Sequence, residues 1–104
     1  MSDTSQFVVI AEFSIKPGQV PAFLALAHND ANESLANEEG CLSFEVLTPE
    51  GSEDLVVLHE VYRDRAAFEH HMSMPHYAPF KEGGAPLLEG EPKVRFFYPA
   101  TRPS

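Results

Sequence analysis

The sequence predicts an α+β fold in which the elements follow the order β-α-β-β-α-β. Two observations lead to this prediction. Four short segments of strand length carry apolar residues that alternate between two faces, while a longer segment repeats apolar residues at steps of three and four. Prolines and glycines separate most of these segments. At 104 residues the chain has room for one domain, with an expected core at 6–98 and a polar tail at 99–104.

The first predicted elements are a strand at 7–15 and a helix at 20–37. Alternate residues from Phe7 onward share one face of the strand, and Lys16-Pro17-Gly18 ends it. Gly40 lies where the end of a helix often needs a residue that tolerates positive φ. One apolar stripe runs along the predicted helix, formed by Val20, Phe23, Leu24, Ala27, Ala31 and Leu35.

Two strands and a short helix are predicted next. The strands cover 41–47 and 55–63, and the loop between them contains a proline, a glycine and three acidic residues, as hairpin loops do. Asp64 is a suitable N-cap for a helix at 65–72. The spacing in this helix predicts four inward side chains, those of Ala67, Phe68, His71 and Met72.

A second short helix near 76–88 and a last strand at 93–98 complete the predicted order. Pro79, Pro86 and the Gly83-Gly84 pair make this helix irregular. The complete order is that of the ferredoxin-like split β-α-β arrangement, an antiparallel sheet with helices on one face.

The predicted sheet is apolar on both faces. In the third strand Val57 and Val61 share one face, whereas Leu58 and Tyr62 share the other. A sheet whose second face meets water should be polar there, so both faces need a cover. A second copy of the same sheet is the simplest cover. The pattern therefore predicts a two-fold homodimer.

Charge and composition exclude several classes of partner. Seven Lys and Arg against sixteen Asp and Glu give a net charge of −9, which argues against binding to nucleic acid or to an anionic membrane surface. The longest apolar run, 55–58, is far too short to span a bilayer. A single cysteine, Cys41, and no recognisable secretory signal favour the reducing cytoplasm.

Four motifs follow one another along the chain: Val9-Ile10-Ala11-Glu12, 38–44 beginning Glu38-Glu39-Gly40, 60–71, and Pro75-His76-Tyr77. In this order they resemble the antibiotic biosynthesis monooxygenase-like family of dimeric α+β barrels. The resemblance implies quinol and polyketide monooxygenases that use no metal or organic cofactor, or an isomerase that processes a phosphorylated autoinducer-2 signal. A haem-degrading branch carries a tryptophan on the short helix. This chain has no tryptophan, which argues against haem degradation.

Glu60 and His71 are the predicted catalytic pair. Glu60 stands in an otherwise apolar strand, where loss of water would raise its pKa toward the range useful for proton transfer. His71 falls on the buried face of its helix, where Glu60 would orient it as a general base. Each residue also has a structural interpretation: Glu60 as an anchor for the backbone or a histidine, and His71 as a core histidine bonded to a carbonyl.

Substrate-binding roles are predicted for residues around this pair. His76 and Tyr77 follow Pro75 at the start of a helix, where an oxyanion, carboxylate or phosphate would be held, and Tyr62 would help to position the substrate. Phe23 and Phe80 would line the pocket. No metal site is predicted, because adjacent histidines diverge by about 100° on a helix and a proline precedes His76.

Three functions compete at this point. The favoured one is an enzyme, a monooxygenase that oxidises a small quinol-like or polyketide-like aromatic with O₂ and without a cofactor. The second is an isomerase that moves a proton beside a carbonyl of a phosphorylated hydroxyketone. The third is a dimeric metabolite-binding domain without catalysis. Oxygen uptake separates the first from the second.

Overall fold

The computed structural model describes residues 5–100, so the predicted tail falls partly outside the described residues. It contains one four-stranded antiparallel sheet with the strand order β2-β3-β1-β4, together with three helices. This confirms the predicted α+β ferredoxin-like fold. The elements are β1 Phe7–Ser14, α1 Val20–Asn37, β2 Cys41–Leu47, β3 Leu55–Tyr62, α2 Arg65–His71, α3 Tyr77–Gly84, a 3₁₀ turn at Ala85–Leu87 and β4 Lys93–Phe97.

The register of the sheet places Glu60 in its interior. On β1, Val9 lies opposite Glu60, and on β2 Phe44 lies opposite it from the other side. Along β3 the residues alternate between buried and half-buried positions, and Glu60 shares the buried face with Leu58 and Tyr62. A carboxyl group is therefore held among apolar neighbours on the face of the sheet that the helices cover.

The core lies between this face and the helices. Every second residue of β1 from Phe7 to Phe13 is buried, and α1 packs Phe23, Ala27 and Ala31 against the sheet. Within residues 5–100 no helix is long and apolar enough to cross a membrane.

Two residues predicted to face inward are exposed. Leu35 is 47% exposed because α1 turns its neighbour Ser34, about 100° away, toward the core instead. Met72 is 42% exposed because α2 ends at His71, which leaves Met72 beyond its last turn. The helix predicted near 76–88 is an α-helix to Gly84 only, since Pro86 cannot donate the next helical hydrogen bond.

Gly40 serves a different purpose from the one predicted. Positive φ is found at Gly18, Gly51 and Gly90, but not at Gly40. A Cβ atom at Gly40 would lie 2.5 Å from the Cβ of Ala67. Glycine is needed here because the chain between α1 and β2 passes directly against α2.

Strand β4 lies at the edge of the sheet and is largely open to solvent on both faces. Val94 and Phe96 pair with buried residues of β1, yet they are 46% and 48% exposed, and Tyr98 beyond the strand is exposed as well. On the sheet face away from the helices, Val57 and Val61 are half-buried. The described chain thus leaves apolar surface uncovered on both sides of its sheet.

Candidate functional site

A cavity of about 260 Å³ lies between the sheet and the helices. Its walls are mostly apolar and include the predicted Phe23 and Phe80, and the rings of these two residues pack edge to face at 5.6 Å between centroids. Five residues with polar or ionisable side chains also line the cavity: Asp30, Glu60, His71, Tyr77 and Lys81. Tyr62 and His76, both predicted to bind substrate, are not among the lining residues.

Glu60 is bound by the hydroxyl of Tyr62, two residues along the same face of β3. The hydroxyl donates to Glu60 Oε1 at 2.6 Å. Burial raises the pKa of Glu60 from its ordinary 4.5 to about 8, and the hydrogen bond from Tyr62 offsets only part of that effect. Glu60 therefore carries a proton at neutral pH and can donate a hydrogen bond inside the cavity. Burial likewise raises the pKa of Tyr62, which stays a neutral phenol.

His71 is almost fully buried and is oriented by Glu38. Its Nδ1 lies 2.9 Å from Glu38 Oε2. The prediction that Glu60 orients His71 is wrong, because the carboxylate bonded to His71 is that of Glu38. Glu60 and His71 both line the cavity. Glu60 instead accepts a hydrogen bond from Tyr62 on the same strand. Glu38, the C-cap residue of α1, lies next to α2 and contacts His71 there.

The protonation state of His71 follows from this environment. Burial lowers its pKa, and the hydrogen bond and charge of Glu38 offset that effect in part. The imidazole is thus neutral near pH 7. When Nδ1 donates the hydrogen bond to Glu38 Oε2, the lone pair of Nε2 is free to accept a proton.

The contacts of His71 extend into a cluster of five buried residues, which we call the polar cluster: Asp30, Ser34, Glu38, His71 and His76. His76 Nε2 lies 2.5 Å from Glu38 Oε2, and Ser34 Oγ lies 3.3 Å from His71 Nδ1 and 3.2 Å from His76 Nε2. Asp30 Oδ1 accepts from Ser34 Oγ at 3.5 Å. Burial raises the pKa of Asp30 to about 7. His76 therefore faces Glu38 rather than a substrate anion in the cavity.

The sequence contained a signal for the members of the cluster that were missed. Asp30, Ser34 and Glu38 follow one another at steps of four, so they lie on one face of α1 and beside its apolar stripe. Three polar residues at helical spacing next to buried positions indicate a polar patch that faces the core. Glu38 belongs to one of the motifs that carry the family resemblance, but no role in the site is predicted for it from the sequence.

Tyr77 completes the wall of the cavity next to His71. Its ring meets the His71 ring edge to face at 5.3 Å between centroids. Burial is the main cause of a raised pKa for its hydroxyl, with the charges of Glu60 and Asp30 acting in the same direction. A neutral phenol, a protonated Glu60 and a neutral His71 therefore line one side of a mostly apolar cavity, to which Asp30 and Lys81 also contribute.

Comparison with known proteins gives the family. The family pattern described as antibiotic biosynthesis monooxygenase matches residues 6–83. A protein of Mycobacterium tuberculosis, Rv0793, which carries a provisional monooxygenase name, is 35% identical over 86 residues, 82% of each chain. Protein sll1783 of Synechocystis is 28% identical over 90 residues, which are 86% of this chain but only 60% of that relative.

Solved structures agree with this assignment. The structure of Rv0793 has a TM-score of 0.86 at 29% identity and covers 96% of this chain and all of its own. A structure from Caulobacter crescentus, provisionally named an antibiotic biosynthesis monooxygenase, has a TM-score of 0.88 and covers 94% of this chain and 92% of its own. At 20% identity it supports the fold alone. By its sequence pattern and its Mycobacterium relative, the chain belongs to the antibiotic biosynthesis monooxygenase family.

Proposed function

We propose that this chain is a monooxygenase that oxidises a small, electron-rich aromatic substrate of the quinol or anthrone type with O₂ and without a bound cofactor. The observation that carries the proposal is a neutral His71, oriented by Glu38, in the wall of an apolar cavity. The provisional monooxygenase name of the Mycobacterium relative supports the same reaction class. A cavity of about 260 Å³ lies just below the usual range for drug-sized ligands, which favours a small substrate.

The reaction needs one base and a water-poor site. His71 Nε2 accepts a proton as the substrate C–H or O–H bond breaks, and the resulting carbanion is rich enough in electrons to reduce O₂. The reduced oxygen then forms a bond to the same carbon as a hydroperoxide, which takes the proton back and loses water. For an anthrone, the hydroperoxide loses its remaining C–H proton as the O–O bond breaks, so one oxygen atom ends as the product carbonyl and the other as water. The carbon of the CH₂ group supplies all four electrons that reduce O₂.

Three other groups would position the substrate. Protonated Glu60 donates a hydrogen bond to the substrate oxygen that gains negative charge during proton removal, which stabilises the anion where water is excluded. Tyr77 lies beside the base and can donate to the same oxygen. Phe23 and Phe80 pack against the faces of the aromatic rings.

The test is oxygen uptake with a panel of quinols and anthrones in the presence of a chelator. We expect His71→Gln to lower kcat about 10²- to 10⁴-fold, the usual contribution of a general base. Glu38→Gln should lower kcat at least about tenfold with little change in KM, because the orientation and tautomer of His71 are lost. His59→Gln is the matched control, since His59 pairs with exposed Glu45 on the face of the sheet opposite to Glu60.

Unchanged turnover in His71→Gln would refute the assignment of the base. Tight binding of a substrate analogue with no turnover of any substrate would favour the third function, a metabolite-binding domain.

An isomerase is the second candidate, and one observation favours it. Glu60 and His71 place a proton donor and a proton acceptor in the same cavity, and Lys81 supplies a cation in its wall for a phosphate group. Such a pair can move a proton between the two carbons beside a carbonyl. Exchange of substrate hydrogen for solvent deuterium without oxygen uptake would support this candidate over the monooxygenase.

We also propose that the working unit is a homodimer, in which a second copy covers the apolar surface of the sheet. Val94, Phe96 and Tyr98 are exposed along the edge strand, and apolar surface of this kind in a small domain marks an interface. Sedimentation at micromolar concentration tests this, and a monomer there would refute it. A cytoplasmic location and the absence of nucleic-acid partners stay predictions from the composition.

A further inference from the structure

The polar cluster contains more ligand groups than one base needs. Asp30, His71 and His76 each place one donor atom within 4.8 Å of the other two, and all three side chains are buried. His71 Nε2 lies 4.0 Å from Asp30 Oδ2. Asp30 lies on α1, His71 on α2, and His76 directly before α3. The tertiary fold therefore brings these atoms together from separate segments of the chain.

Hydrogen bonding alone leaves the cluster incompletely satisfied. Both histidines contact the same oxygen, Glu38 Oε2, whereas Glu38 Oε1 is buried and has no partner among residues 5–100. A buried carboxylate oxygen without a partner costs free energy comparable to a lost hydrogen bond. A water molecule bound to a cation held by the cluster would satisfy that oxygen.

We propose that the polar cluster binds a divalent transition-metal ion of the Zn²⁺ type through Asp30, His71 and His76. Glu38 then orients His71 through Nδ1, as carboxylates commonly do behind a histidine ligand. The side chains have to close in by about an ångström, since ligand atoms around Zn²⁺ lie roughly 2.0–2.2 Å from the ion. Small changes in side-chain torsion supply this movement.

The donor set selects the class of ion. Two imidazole nitrogens and one carboxylate oxygen suit Zn²⁺, Co²⁺ and Fe²⁺, whereas Mg²⁺ prefers oxygen ligands and keeps most of its water. A three-ligand site also leaves a coordination position for water.

Metal binding and base catalysis exclude each other in this arrangement. The Nε2 lone pair of His71 cannot bind the ion and accept a substrate proton at the same time. This consequence rests on the proposed function, and it makes the ion an inhibitor of the oxidation. Binding itself does not depend on the proposed function and is measured without substrate.

The experiment titrates the metal-free full chain with Co²⁺ and with Zn²⁺. We expect one Co²⁺ per chain, visible absorption bands typical of a four- or five-coordinate site, and displacement of Co²⁺ by Zn²⁺ but not by Mg²⁺. Asp30→Asn and His76→Gln should each weaken Zn²⁺ binding by at least about tenfold, and Glu38→Gln by about 10- to 100-fold. His59→Gln and Cys41→Ser are the controls that should bind as the unmodified chain does.

The outcomes are distinguishable. Absence of the Co²⁺ bands in the unmodified chain, or equal Zn²⁺ affinity in folded His76→Gln, overturns the metal site whatever the enzyme does. If Asp30→Asn fails to fold, His76→Gln and the Co²⁺ spectrum still decide. A bound Zn²⁺ that leaves oxygen uptake unchanged would refute the role of His71 as the base and leave the metal site standing.

Discussion

Replacement of Glu60 by glutamine should remove a large part of the pH dependence of stability. Glutamine has nearly the same shape and keeps an oxygen that can accept from Tyr62, so the change mainly removes the ionisable proton. The pKa of Glu60 rises from 4.5 to about 8 on folding. The folded state therefore holds a proton that the unfolded chain releases, and stability falls as pH rises from about 4.5 to about 8.

The size of the effect follows from the two pKa values. Each pH unit inside that window costs up to about 1.4 kcal/mol, and Glu60 accounts for about 2 kcal/mol of lost stability between pH 6.5 and 8.5. Asp30, whose pKa is raised to about 7, adds about 1 kcal/mol of the same sign over this range. His71 has a lowered pKa, so it acts in the opposite sense and mainly below pH 7, where the unfolded imidazole binds a proton that the folded one does not.

The assay is urea denaturation at several pH values from 6.5 to 8.5, in the presence of a chelator. The unmodified chain should lose about 3 kcal/mol over this range, and Glu60→Gln only about 1 kcal/mol. Glu50→Gln is the matched control, because Glu50 is an exposed carboxylate in the loop between β2 and β3 and its replacement should leave the slope unchanged. An equal slope in Glu60→Gln and the unmodified chain would refute the buried, protonated state of Glu60.

Three further changes test the surroundings of the site. Tyr62→Phe removes the hydrogen bond that favours the ionised form, so the pKa of Glu60 should rise further; a carboxyl NMR titration that gives an unchanged midpoint would contradict this. Gly40→Ala should cost about 1–3 kcal/mol by overpacking, and adding Ala67→Gly should recover part of that loss in the same denaturation assay. Asp64→Ala should cost about 1 kcal/mol by removing the acceptor for Ala67 N–H, whereas Asp64→Asn, which keeps an oxygen there, should cost little.

The fold could be predicted from the sequence because the spacing of apolar residues and the positions of prolines and glycines indicated the same elements along the chain. Strand alternation, helical steps and an N-cap at Asp64 each depend on local geometry, and local geometry can be read from neighbours in sequence. The errors arose where tertiary contacts decide. Leu35 faces solvent because α1 uses its inward positions for polar side chains, and Gly40 is needed for a close approach to Ala67 that no local pattern reveals.

The candidate site was predictable in its residue types but not in its pairing. His71 and Glu60 stood out as polar residues on apolar faces, and both do line the cavity. Which carboxylate reaches the imidazole depends on the distance between the end of α1 and α2, and the sequence does not contain that distance. Glu38 and Asp30 were missed for the same reason: on a helix, a polar face that points inward looks the same in sequence as one that meets water.

Much of the apolar wall of the cavity lies on elements that carry none of the polar cluster. Helix α1 carries Asp30, Ser34 and Glu38 on successive turns, whereas Phe13 on β1 and Phe80 on α3 shape the apolar space. Substitutions at Phe13 or Phe80 can therefore change which substrates fit without moving the acid–base groups. A single inserted residue in α1 would instead rotate all three polar groups away together. Under the proposed function, substitutions in the apolar wall would alter the range of substrates and leave the proton chemistry in place.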